Sequence, residues 1–125
     1  MRRRRSRGSS EVHVGHVHPI WGTPTNGFLF EHGGRRVAYV SDCYVIPPKT
    51  LAKMRGADVL VLDCLRDTRP HPTHLTLDRA LAYMKEVAPR RGYFIHMCHD
   101  VKHAEFEARL PRGIRLMYDG MKIRV

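Results

Sequence analysis

The apolar positions of this chain fall into short blocks that switch between the period of a strand and that of a helix. Glu11 to His18 alternates, with Val12, Val14 and Val17 on one side of the pattern and Gly15 interrupting it, which predicts a strand with an irregularity at the glycine. A loop rich in Pro, Gly and Asn follows. Gly27 to Glu31 and Arg36 to Asp42 then read as two strands joined by a turn at His32–Gly33–Gly34–Arg35, a β-hairpin. Pro47 to Met54 opens with two prolines and reads as a short helix. Ala57 to Cys64 is almost continuously apolar, the pattern of a strand covered on both faces. Thr76 to Val87 carries Leu77, Ala80, Leu81 and Met84 on one helical face, with Thr76 placed to cap it and Pro89 to end it. Gly92 to Met97 reads as a strand and Lys102 to Leu110 as a helix. Ile114–Met117 and Met121–Val125 read as a final hairpin around Asp119–Gly120.

This order predicts an α/β domain in which helices pack on a sheet. The 125 residues suffice for one domain. Residues 1–10 read as a disordered basic tail and 11–125 as the folded unit. The strand at 59–62 expects cover on both faces, and the helices at 76–88 and 102–110 supply it on one. The other face is therefore expected to be exposed and to favour a homo-oligomer or a partner chain.

Charge changes the picture in one respect. The formal net charge is +10, and five of the basic residues are Arg2, Arg3, Arg4, Arg5 and Arg7. The other 17 basic residues against 12 acidic ones leave +5, a field that favours an anionic small substrate. The tail also offers non-specific contact with nucleic acid, although no aromatic–basic RNA motif accompanies it. No apolar run approaches the roughly 20 residues that a membrane span needs, and no apolar stretch follows the arginines as a secretory signal would require. Cys43, Cys64 and Cys98 are odd in number, widely spaced and without a CxxC pair. They read as buried thiols in a reducing cytoplasm.

Candidate chemistry sits at strand ends. Asp42 closes one strand and His96 closes another. A carboxylate and an imidazole that converge beside a sheet edge are suitable ligands for zinc, manganese or iron. The loop Pro-His-Pro-Thr-His-Leu contains His71 and His74, either of which can serve as a general acid or hydrogen-bond donor near neutrality. His99 and His103 are four residues apart and read as a structural pair.

Several blocks occur in one order: Val-Ala-Tyr-Val-Ser-Asp-Cys at 37–43, Ala-Asp-Val-Leu-Val-Leu-Asp-Cys-Leu-Arg at 57–66, Pro-His-Pro-Thr-His-Leu-Thr-Leu at 70–77, Ile-His-Met-Cys-His-Asp at 95–100, and Leu-Pro-x-Gly-Ile-x-Leu-x-Tyr-Asp-Gly at 110–120. In this arrangement the chain resembles metallo-β-lactamase-fold hydrolases, and within them the phosphoribosyl cyclic phosphodiesterase group, over about residues 12–125. The resemblance implies a partial metallo-β-lactamase (αββα) fold, about one sheet-and-helix half. It implies a metal-dependent hydrolase of phosphodiesterase type acting on a phosphodiester-like small molecule with zinc or manganese. Asp42 would be the carboxylate bridging two metals and His96 the last histidine ligand. His74 would hold the phosphate or protonate the leaving group, with His71 beside it in substrate binding, and Asp63 would orient the residues of that loop.

The family's His-x-His-x-Asp-His string is absent from this sequence. Where the family places His-Gly, Trp21–Gly22 stands here, with His16 and His18 nearby. The resemblance therefore implies a metal site that is incomplete in this chain, in a truncated or inactive copy of the enzyme. A non-catalytic module binding an anion, a nucleic acid or a partner chain is the alternative.

Overall fold

The structure, a computed structural model, describes residues 10–15, 24–66, 74–97 and 102–125. Of the basic tail, residues 1–9 lie outside the described residues, whereas Ser10 already opens a strand. Six strands form one mixed sheet in sequential order: β1 (Ser10–Gly15), β2 (Pro24–His32), β3 (Arg35–Val40), β4 (Val59–Asp63), β5 (Arg91–Ile95) and β6 (Ile114–Leu116). The first three are antiparallel neighbours, and β3 to β6 run parallel. The β2–β3 hairpin turns on Gly33 and Gly34, whose φ values of +57° and +80° suit a turn that needs two left-handed residues.

Helices α1 (Pro48–Met54), α2 (Leu77–Val87) and α3 (His103–Glu107) connect the parallel strands. They cover one face of the sheet. Leu51 and Met54 of α1, Ala80, Met84 and Val87 of α2, and Phe106 of α3 share one core with Val40, Leu60, Leu62, Phe94 and Leu116. Thr76 stands at the N-cap of α2 as its sequence position predicts, but its hydroxyl donates to the Asp78 carboxylate instead of capping a backbone N–H. The final helix is shorter than its pattern predicts and ends at Glu107.

The other face departs from expectation. Val59, Val61 and Tyr93 are buried there, and Met117, Met121 and Ile123 pack against them. The chain's own C-terminal segment thus covers the middle of a face expected to lie open. The predicted second strand of the final hairpin does not form, because burying Met121 and Ile123 under the sheet offers more than pairing at its edge. A hydrogen bond from the Arg91 side chain to the Arg124 carbonyl fastens this segment. Cover stops short of β2, where Phe28 and Phe30 remain 38% and 46% exposed with their rings stacked 6.1 Å apart.

Asp58 locks the opposite margin of the parallel strands. Its backbone N–H donates to Arg36 O, its carboxylate accepts from Arg36 N–H at 2.8 Å, and its carbonyl accepts from Arg91 N–H. One residue therefore ties β3, β4 and β5 together where they start. The Arg36 N–H, with the guanidiniums of Arg35 and Arg90 nearby, holds its carboxyl below the usual carboxylate range.

Asp58→Asn is expected to destabilise the protein near neutral pH. A lowered folded-state pKa contributes stability above the unfolded value of about 4 and loses it as pH falls through the folded value. The gap between wild type and variant in urea unfolding should therefore close on acidification below about pH 4. Replacing Phe28 and Phe30 together by Thr is expected to reduce self-association in a light-scattering concentration series.

Candidate functional site

The three central parallel strands β3, β4 and β5 deliver polar side chains to one place, the carboxyl-end edge of the sheet, where open α/β sheets place their ligands. Asp42 follows β3 by two residues, Asp63 is the last residue of β4, and His96 directly follows β5. His74 arrives from the segment before α2. One ligand atom from each of Asp42, Asp63, His74 and His96 lies within 4.8 Å of all the others.

Asp63 is the innermost of the four, with no exposed surface. Its Oδ2 accepts the Cys43 N–H at 3.1 Å and lies 2.9 Å from His74 Nδ1. Burial holds its carboxyl above the usual carboxylate range, against the opposing pull of the Cys43 N–H and His74. The same burial, together with the charges of Asp63 and Asp42, pushes the Cys43 thiol far up and keeps it protonated. His74 Nδ1 also lies 3.1 Å from Asp42 Oδ1. Two carboxylates thus converge on a single ring nitrogen.

The surrounding loops are fastened down. Thr25 on β2 donates to the Asp42 carbonyl at 2.6 Å. The Tyr83 hydroxyl on α2 accepts the Ile46 N–H at 3.1 Å, and Arg79 on the same helix donates to the Tyr44 carbonyl with its guanidinium 3.9 Å over the Tyr44 ring. The loop carrying Asp42 is therefore held from the sheet on one side and from α2 on the other.

His96 occupies the left-handed region with φ of +69°, a strained backbone for a residue with a Cβ and a feature that gathers at functional sites. Its Nδ1 lies 2.9 Å from the Ser41 carbonyl. A carbonyl oxygen only accepts, so Nδ1 is the donor in this contact. His96 and His74 rings meet edge to face, 4.6 Å between centroids.

The group fits a divalent cation. Asp63 Oδ1 is buried and makes no hydrogen bond, with His96 Nδ1 at 3.8 Å. A buried carboxylate oxygen without a donor, next to a second carboxylate, calls for a positive charge. Mixed carboxylate and imidazole donors suit zinc or manganese, and three or four protein ligands suffice for one catalytic ion.

Of the residues singled out in the sequence, Asp42, His74 and His96 meet here. His71, His16, His18, Trp21 and His99 lie outside the described residues. Asp63, for which the resemblance implied an orienting role, contacts His74 and is a member of the same cluster. Its signal was the apolar strand before it: Val59 to Leu62 is buried throughout, so the residue that ends it is drawn inside as well. His74, expected on the substrate side, lies in the same four-residue cluster.

Comparison with known proteins agrees with the geometry. The model of the Beta-lactamase superfamily domain matches residues 8–97. A diphosphatase of the PhnP family superimposes with a TM-score of 0.78 at 33% identity, covering 95% of this chain and 44% of that one. The metallo-β-lactamase-fold protein YhfI from Bacillus subtilis superimposes with a TM-score of 0.72 at 16% identity, covering 90% of this chain and 48% of that one; that likeness speaks for the fold alone. An octanoyltransferase from Porphyromonas gingivalis is 25% identical over 87 residues, 69% of this chain and 18% of that protein. The chain thus spans less than half the length of each of these proteins. No described helix is long and apolar enough to cross a membrane.

His96→Gly is expected to be more stable than His96→Ala by about 1 kcal/mol, because only glycine adopts this backbone without a Cβ penalty. Urea unfolding of the two variants checks it.

Proposed function

This chain belongs to the Beta-lactamase superfamily domain family, and on that premise we propose that it is a divalent-metal-dependent hydrolase domain acting on phosphodiester-like small molecules. The observation that carries the reading is the convergence of Asp42, Asp63, His74 and His96 within 4.8 Å at the carboxyl edge of the sheet. The likeness to a diphosphatase at 33% identity supports a phosphorylated substrate. Because the chain spans 44% of that protein, the activity belongs to the proposal and not to the comparison.

In this reading Asp42, Asp63 and His96 hold one ion, zinc or manganese, which supplies Lewis acidity toward a phosphoryl oxygen and toward water. The Ser41 carbonyl fixes His96 in the tautomer that leaves Nε2 available, the usual service of a hydrogen bond behind a ligating imidazole. His74 is oriented by Asp63. With Nδ1 committed to the carboxylate, its Nε2 is the atom that gives a proton to the leaving oxygen. His71 is a further substrate-binding candidate from the same loop. The positive charge outside the arginine tail draws the anionic substrate in.

Calorimetry of the purified chain with zinc and with manganese, followed by an assay on bis(p-nitrophenyl) phosphate, tests the proposal. One ion per chain is expected. Asp63→Asn should weaken metal binding by about tenfold or more. His74→Ala should lower the hydrolysis rate by about 100-fold. Metal binding without turnover would favour a non-catalytic anion-binding module, and no metal binding would overturn the reading altogether.

A further inference from the structure

A cavity of about 400 Å³ opens at the far end of the parallel strands from the Asp42 cluster. It lies where β5 and β6 begin, beside the last turns of α2. Leu81, Met84 and Ile114 form its apolar wall, and Lys85, Arg90 and Arg112 stand around it. Among the described residues, no acidic side chain lines it.

The floor depends on Gly92, the register partner of Ile114. A Cβ at position 92 would meet Met84 Sδ at 2.6 Å. The bare backbone there lets Met84 lie flat against β5 instead of filling the space outside it. A thioether is also the side chain that best adapts its shape to an incoming apolar group.

One of the three rim cations is engaged and two are not. Arg90 Nε lies 3.7 Å from Asp58 Oδ1. Lys85 and Arg112 are exposed and enter no ion pair or side-chain hydrogen bond among the described residues. The volume falls within the roughly 300–1,000 Å³ of small-molecule sites, which combine apolar walls with a few polar groups that set orientation.

We propose that this cavity binds an amphipathic anion, a small molecule with an apolar body and one anionic head. The body enters between Leu81, Met84 and Ile114, where each methylene withdrawn from water adds affinity. The head stays at the mouth between Lys85 and Arg112. Cations this exposed are screened by salt, so the head alone is held weakly, and the body alone leaves the cations without a counter-charge. Binding requires both parts in one molecule. This site is separate from the metal-site reading and does not rest on it.

The test is calorimetric titration of the whole chain, with chelator present so that no carboxylate is held by a metal ion. Sodium decanoate is used below its micelle-forming concentration, and 1-decanol and acetate serve as the body and the head alone. Decanoate is expected to saturate at one per chain, decanol to bind at least about tenfold more weakly, and acetate to give no measurable heat. The double variant Lys85→Glu/Arg112→Glu should lose about tenfold in decanoate affinity with its circular dichroism unchanged, since both side chains are exposed. His96→Ala should bind decanoate as the parent does. Equal affinity for decanol, an unaffected double variant, loss of binding in His96→Ala, or absence of saturable decanoate binding would each overturn the proposal.

Discussion

The buried carboxylate of Asp63 is the constraint on which the rest of the site depends. It ends the strand at the centre of the sheet, where both faces are covered, and so it has no access to water. Its charge is tolerated because the Cys43 N–H and His74 Nδ1 meet one oxygen. The same two contacts tie the loop after β3 and the segment before α2 to the end of β4. Satisfying a single buried group thereby fixes the position of Asp42, one residue before Cys43, and of His74. The second oxygen makes no hydrogen bond, so the cluster is not a closed structural network.

Stability and chemistry occupy opposite margins of the parallel strands. At their start, Asp58 spans β3, β4 and β5 with hydrogen bonds whose partners are all supplied by the chain. At their end, the polar groups converge without complete pairing, and His96 holds a strained backbone. A parallel sheet produces this division because every strand ends on the same side. The fold does not decide which chemistry follows; that lies with the two carboxylates and two imidazoles at the edge.

The two faces of the sheet are finished in different ways. Helices cover one with a continuous core. The other is closed at its centre by Met117, Met121 and Ile123 and left open at Phe28 and Phe30. A face completed by nine C-terminal residues has enough apolar cover for β4 and β5 but not for β2. The stacked phenylalanines are where association with another surface would gain most.

Much of this was legible in the residues themselves. Apolar blocks, together with turn and proline signals, located the strands and helices of the described residues to within a few positions, because burial imposes those patterns directly. Asp42 and His96 stood out because each closes an apolar strand, and the order of motifs pointed to the family. What the sequence could not decide was anything set by contacts between distant segments. The role of Asp63 followed from how deep β4 sits, and the position of His74 from an imidazole reaching across eleven residues to that carboxylate. Asp119–Gly120 marked a turn correctly, but only the packed sheet could show that Met121 and Ile123 gain more by burial under Val59 and Val61 than by pairing as a strand. Local pattern determines which elements form; the competition between buried surface and backbone pairing, settled only when the whole sheet is assembled, determines where their side chains meet.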